Sequence, residues 1–330
     1  MDTFRDQHLK KSGIVFKKTI GNYVVHSEGN VISCDISARL RKELVYPTAD
    51  AGSLSHVVVD VKDIDRIDPV AVGDEVTFID NQDGSGLIVD VLPRRSKLVR
   101  RSAGRKALEQ VIVANLDQVV PVFATADPAP KWNLLDRYLA MAESLALPSI
   151  ICITKMDLIS GSAEQALYDG LETYRKIGYR VLLTSAASGL GIDEFKAAIQ
   201  SKLSAFVGKS GVGKSSLLNK LQPGLGIRVN AVSQAITKGK HTTSHLEMFS
   251  LDCGGAVVDT PGMREFGLWN VDGTDPALFF PEIRPYVGQC KFGLNCHHIK
   301  EPGCAILNAV KSGQIDERRY QSFIKILAGD

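Results

Sequence analysis

The sequence predicts a multidomain α/β chain: an N-terminal β-barrel, a mostly parallel sheet with helices on both faces, and a small C-terminal helical module organised by a metal. Three observations carry this expectation. Short β runs separated by Gly, Asn and Asp turns fill residues 13–98. From Gln110 onward, apolar strands alternate with amphipathic helices, the pattern of crossover units. A full G-x-x-x-x-G-K-S loop at 208–215 lies between a short apolar run and a helix. The expected division is 1–98 for the barrel, 99–109 for a basic linker, 110–272 for the sheet domain and 273–330 for the C-terminal module.

With 330 residues there is room for two or three cores, and 44% apolar with 23% charged residues is ordinary for a soluble protein. A net charge of +2 excludes a global basic field, so any nucleic-acid contact must come from local clusters. The Met1–Lys10 segment is polar, and no apolar run approaches membrane length, so a cytoplasmic chain without membrane contact is expected. The six cysteines are too few and too uneven for a disulfide framework. The last three cluster, which points to metal in a reducing compartment.

In chain order, strands are expected at 14–16, 23–25, 31–34, 57–59, 75–79 and 86–91, as a small barrel or sandwich with an oligonucleotide-binding (OB) barrel among the candidates. Between Arg94 and Lys106 stand seven cations and no acid, either a solvated linker or a phosphate-contacting strip. The next domain reads as strands at 119–124, 149–154, 179–184 and 204–207, with helices at 134–145, 164–177 and 192–203. The last helix abuts its strand, so a tight join is expected.

The phosphate loop comprises Gly208, Lys209, Ser210, Gly211, Val212, Gly213, Lys214 and Ser215, with Ser216 continuing into the helix. Its glycines let backbone N–H groups converge on phosphate oxygens, and the helix N-terminus adds positive potential. Lys214 is placed to reach the β- and γ-phosphates and Ser215 to ligate Mg²⁺. Thr154-Lys155-Met156-Asp157 follows a buried strand, as a guanine-reading N/T-K-x-D motif does, with Thr154 where Asn is usual. The Asp157 carboxylate can accept from guanine N1–H and the N2 amine, a pair adenine lacks. Ser185 and Ala186 open an S-A-x-x-G-x-G loop suited to contacting guanine O6. Asp259-Thr260-Pro261-Gly262 ends another buried strand, with Asp259 toward Mg²⁺ and the Gly262 N–H toward the γ-phosphate. Lys238-Gly239-Lys240-His241-Thr242-Thr243 supplies a threonine for the metal, Thr243 by preference and Thr242 second.

The base-reading motifs precede the phosphate loop, whereas a standard GTPase has them last. A site built from strand ends tolerates such a rotation, and it connects the D-x-P-G switch directly to the C-terminal module. Position 263 is Met where many GTPases place a water-orienting Gln, which leaves His241 as the best group for that task. Farther on, Cys290, Cys296, His298 and Cys304 offer three thiolates and an imidazole, a set suited to one structural tetrahedral Zn²⁺ with no open position. His297 is an alternative to His298. Short helices are expected at 276–287, 305–313 and 316–328, and the other three cysteines, Cys34, Cys152 and Cys253, read as core residues.

Together the rotated motifs, the Gly-Lys-His-Thr-Thr switch, the Leu134–Leu139 helix and the Cys-Cys-His-Cys knuckle resemble the RsgA (YjeQ) family of circularly permuted GTPases acting in small ribosomal subunit maturation. The resemblance spans nearly the whole chain. It implies an N-terminal OB-fold, a permuted P-loop GTPase domain and a C-terminal zinc domain. It further implies hydrolysis of GTP to GDP stimulated by the small subunit, ribosomal RNA binding near the decoding region, and a catalytic His241, which joins Lys214 and Thr243 in the expected catalytic set. A monomer is expected. The alternative is an RNA-binding nucleotide switch with little intrinsic hydrolysis. The switch departs from the family in reading Gly-Lys-His-Thr-Thr-Ser, where an Arg and a third Thr are more typical.

Overall fold

The computed structural model describes residues 10–19, 21–41, 69–101, 109–225, 247–259 and 274–328. The chain divides into two compact units, Met1–Leu116 with Thr243–Phe249, and Asp117–Thr242 with Ser250–Asp330.

In the first unit, β1 (Lys10–Thr19), β2 (Asn22–Ser27) and β3 (Asn30–Ile36) form a meander, followed by the single turn α1 (Ala38–Arg41). The strands β4 (Glu75–Asp80) and β5 (Ser85–Val91) complete the order β1-β2-β3-β5-β4, and β4 pairs back onto β1 to close a five-stranded barrel. The β3–β5 pairing is parallel and the others antiparallel, the connectivity of an OB barrel. Alternation along each strand sends Val15, Val25, Cys34, Val76, Phe78 and Ile88 inward, all fully buried. The strand expected at 57–59 lies outside the described residues.

The basic stretch expected as a linker contains a strand. The hairpin of β6 (Lys97–Arg101) and β7 (Glu109–Ala114) pairs Leu98 with Val113, so both apolar residues are buried. Arg94 is not a surface cation either. Its Nε and Nη2 donate to the buried Asp74 carboxylate at 2.6 and 2.7 Å, and Nη2 also donates to the Pro69 carbonyl. Arg94 is thus a strut of the first unit.

In the second unit the elements run β8 (Gln118–Ala124), α2 (Trp132–Ser144), β9 (Ile150–Thr154), α3 (Gly161–Ile177), β10 (Arg180–Leu183), α4 (Ile192–Ile199), β11 (Leu203–Val207) and α5 (Lys214–Leu221). Then comes β13 (Ala256–Asp259); the preceding β12 (Glu247–Ser250) lies in the first unit through Phe249, and its Glu247 pairs there with Lys17. The order β10-β9-β8-β11-β13 is parallel throughout. Every residue of β8 and β9 is buried, as a sheet covered on both faces requires. The chain moves outward from β8 to β10 and then returns to β11 on the other side of β8. That reversal opens a crevice at the carboxyl ends of β8 and β11, the place where such sheets bind ligands.

The α4 helix ends at Ile199, four residues short of the expected 203. Strand pairing takes the remainder: the Leu203 N–H donates to the Asp117 carboxylate at 2.7 Å, and the Lys202 carbonyl accepts from Ala256. Ser201, with φ of 55°, makes the turn, so the join is tight. The helix expected at 276–287 is instead two 3₁₀ turns, Pro276–Phe279 and Arg284–Tyr286. Pro281 and Pro285 lack the N–H groups a continuous helix would need. The helices α6 (Ala305–Lys311) and α7 (Glu317–Leu327) follow. Their core, with Phe280, Ile283, Ile306 and Phe323, includes Ala140 of α2, so this region shares a core with the sheet domain.

Candidate nucleotide site and metal centre

The phosphate loop leaves β11 and enters α5 at the crevice. Gly208 passes so close to β8 that a Cβ there would lie 2.3 Å from the Val122 carbonyl oxygen, which excludes any side chain. Gly211 and Gly213 have φ of 83° and 91°, the left-handed geometry that lets the loop curl before the helix starts. Lys214 is 6% exposed, and its Nζ donates to the carbonyls of Gly208 (2.9 Å) and Lys209 (3.2 Å). The ammonium therefore spans the mouth of the loop. Ser215 is buried beside it at the first turn of α5.

The Thr154–Asp157 segment is tied to this loop. The Thr154 hydroxyl, at the end of β9, donates to the Val212 carbonyl, with the Phe123 carbonyl 3.2 Å away. Thr154 thus performs a bridging task for which a donor suffices, and the missing amide is not needed there. Lys155 takes a left-handed φ of 59° and donates through Nζ to the Asp127 carbonyl at 2.6 Å. Its own carbonyl accepts from the Thr125 hydroxyl at 2.7 Å. The fully buried Ser185 hydroxyl donates to Asp157 Oδ1 and accepts from the Ser188 N–H at 3.1 Å. The Gly191 turn behind it tolerates no Cβ, which would meet the Leu183 carbonyl at 2.1 Å.

The structure therefore brings Thr154, Lys155, Asp157 and Ser185 together with Gly208–Ser215 at the carboxyl ends of the strands, with Ala186 following Ser185 and Ser216 following Ser215. The backbone of Asp259 pairs with Phe206, just ahead of the loop. His241, Thr242, Thr243 and Gly262 lie outside the described residues. Sequence reasoning missed Thr125 and Asp127, which hold Lys155, because backbone acceptors in a loop leave no pattern of residue types. It also read the Ser185 loop only as a source of N–H groups, not as the clamp on Asp157.

Cys290, Cys296, His298 and Cys304 are all buried, with one ligand atom from each lying within 4.8 Å of the others. Cys290 Sγ is 3.7 Å from Cys304 Sγ, and both sulfurs lie 3.5 Å from His298 Nδ1. A tetrahedron with bonds of about 2.3 Å to sulfur and about 2.0 Å to nitrogen puts those pairs at roughly 3.8 and roughly 3.5 Å. The cluster can bind a metal. His297 is exposed and is not part of it. Backbone N–H groups of Ala305 and Leu307 point at Cys290 and Cys304 sulfurs, at 3.3 and 3.5 Å. The other imidazole nitrogen, Nε2, is 3.6 Å from Asp275, a carboxylate placed to fix the tautomer. Burial pushes the Cys296 thiol up to about 12, so a cation bound here must displace protons. Glu301 ties the turn by accepting from the N–H groups of His297, Ile299 and Lys300. Those bonds, the Lys300 N–H first, lower its pKa to about 2.

The family model for RsgA GTPase matches residues 91–269. A curated relative from Gemmatimonas aurantiaca, small ribosomal subunit biogenesis GTPase RsgA, is 40% identical over 318 residues, 96% of each chain. The protein of the same name from Moorella thermoacetica is 39% identical over the same span and coverage. Among solved structures, YjeQ from Thermotoga maritima superposes with a TM-score of 0.73 at 30% identity, covering 97% of this chain and 98% of that one. YloQ, described as a circularly permuted GTPase, gives a TM-score of 0.69 at 30% identity, covering 98% and 95%.

Proposed function

The chain belongs to the RsgA GTPase family and is a GTPase, and from that premise we propose that it hydrolyses GTP to GDP and phosphate on small ribosomal subunits late in their maturation. In this reading it is a cytoplasmic monomer without membrane contact that binds ribosomal RNA through its barrel and its C-terminal module. One observation supports it best: the Thr154 hydroxyl on the Val212 carbonyl joins the base reader to the phosphate loop, so guanine and triphosphate are sensed by one connected structure. Among the described residues, no helix is long and apolar enough to cross a membrane.

The residue roles follow the chemistry. Asp157 accepts from the guanine N1–H and N2 amine while Ser185 holds its other lone pair. The backbone N–H groups of the loop and the Lys214 ammonium, swung from the Gly208 and Lys209 carbonyls, neutralise the β- and γ-phosphate oxygens. Ser215, Thr243 and Asp259 would hold Mg²⁺, which when bound spreads the charge developing on the transferred phosphoryl group. His241 orients the attacking water in place of the glutamine that Met263 cannot supply. Water adds to the γ-phosphorus as the bond to the β-phosphate oxygen breaks, and GDP leaves.

Hydrolysis measured alone, with purified small subunits and with large subunits should show strong stimulation by the small subunit only. His241→Ala should lose that stimulated turnover while keeping GTP affinity. Equal turnover with both subunits would reject the partner, and an unchanged rate in the variant would reject the role of His241.

For the metal centre we infer one structural Zn²⁺ on Cys290, Cys296, His298 and Cys304, since four protein ligands leave no open position. Elemental analysis should return one zinc per chain. Cobalt substitution should give the absorption of a tetrahedral thiolate-rich site, lost in Cys296→Ser. A cobalt spectrum with octahedral character would contradict this assignment.

A further inference from the structure

Beside the phosphate loop, the second unit carries a cavity of about 210 Å³ whose cations, apart from Lys209 of the loop itself, the reaction does not use. It is lined by Lys131, Asn133, Arg137, Lys209, Ser322 and Lys325, with Leu134 and Ile326 at its apolar wall. Four cations and no acid face one space. Lys131, Arg137 and Lys325 make no ion pair with any described acid, and Arg137 is half-buried. Cations brought together repel one another, and an anion seated among them relieves that cost. The cavity opens at the first turn of α2, whose Lys131 N-cap supplies no side-chain cap, so the positive end of the helix adds to the field. Ser322, buried on α7, and Asn133 offer neutral hydrogen-bonding groups at the same place.

We propose that this cavity is a docking site for a backbone phosphate of ribosomal RNA, formed jointly by α2, the phosphate loop and α7. The proposal rests on the reading that the small subunit is the partner. A phosphate fits the cavity's size and charge, and its flanking phosphates can continue along the exposed Lys131 and Lys325. The position has a consequence for control. Lys209 lines the cavity, and its carbonyl accepts from the Lys214 ammonium, so an anion seated here is one residue contact from the group that must meet the nucleotide. RNA engaged at this point would report its presence to the loop through Lys209.

The test uses the full-length double variant Lys131→Ala/Lys325→Ala, two exposed positions outside the nucleotide site. Affinity for purified small subunits is measured over a series of KCl concentrations with a GTP analogue bound, and each lysine that contacts phosphate contributes about one unit to the salt slope. The expected result is weaker binding with a slope shallower by about two. Subunit-free hydrolysis, GTP affinity and thermal melting should match the parent chain. An identical slope and affinity would overturn the proposal, whereas failure of the parent chain to bind subunits would overturn the underlying reading instead. In a second arm, inorganic phosphate is titrated while Trp132 emission is followed in a Trp269→Phe background. Saturable quenching that the variant loses, with subunit binding unaffected, would make free phosphate the ligand and displace RNA.

Discussion

Asp157→Ala is expected to reduce GTP affinity by roughly 10²- to 10⁴-fold and to remove the preference for guanine over adenine nucleotides. Two hydrogen bonds to an ionised carboxylate, at about 1.5–3 kcal/mol each, would be lost, and every tenfold change costs about 1.4 kcal/mol. The Ser185 hydroxyl on Oδ1 fixes the carboxylate before the base arrives, so little ordering remains to be done on binding. Ser185→Ala should therefore show a smaller loss of the same kind, about tenfold, because it removes one neutral donor and leaves Asp157 in place. Competition of GTP and ATP against a fluorescent guanine nucleotide measures both effects. If Asp157→Ala still preferred GTP as strongly as the parent chain, the base would be read by other residues and the rotated motif order would lose its explanation.

How much of this was legible in the sequence depended on whether the chemistry is local. The phosphate loop, the N/T-K-x-D segment and the knuckle each sit within a short span of residue types that a ligand would dictate, so they could be read as candidates from local sequence. The alternating barrel strands and the parallel sheet were equally plain, since burial imposes a period on the chain. Residues whose role depends on distant partners were not legible. Thr154 looked like a weakened Asn until the fold set its hydroxyl against Val212, which lies 58 positions away. Arg94 and Lys97–Arg101 read as either a solvated linker or a phosphate-contacting strip, because nothing local announces Asp74 as a partner or Leu98 as half of a buried pair. The end of α4 was overestimated because helical spacing continues past Ile199, and only the pairing of Lys202 and Leu203 with other strands cuts it short.

The largest element hidden from the sequence is a buried ionic network, and Arg319→Met is expected to destabilise the second unit by about 3–5 kcal/mol. The Arg319 guanidinium on α7 is fully buried. Its Nη1 donates to Asp136 Oδ1 on α2 at 2.8 Å, while Nε and Nη2 donate to Glu282 at 2.6 and 3.1 Å. The Tyr174 hydroxyl on α3 donates to the same Asp136 oxygen at 2.6 Å, and the Phe280 ring lies 4.6 Å from the guanidinium carbon. Burial alone would lower the Arg319 pKa, yet the Asp136 and Glu282 carboxylates raise it, so the charge persists. One side chain thus ties the C-terminal helix to two helices of the sheet domain. Removing it strands the fully buried Asp136 carboxylate, whose Oδ2 already has no partner among the described residues. The cost comes from that orphaned charge rather than from a large net gain in the intact network. The triple variant Asp136→Leu/Glu282→Leu/Arg319→Met should accordingly recover much of the loss, leaving mainly the unpaired Tyr174 hydroxyl to account for. Urea unfolding followed by Trp132 emission in a Trp269→Phe background reads the network directly, since Arg318, the neighbour of Arg319, stacks 4.7 Å from the Trp132 ring. A single variant within about 1 kcal/mol of the parent, or a triple variant no better than the single, would show that apolar packing around Ala140 and Phe323 alone holds the C-terminal region in place.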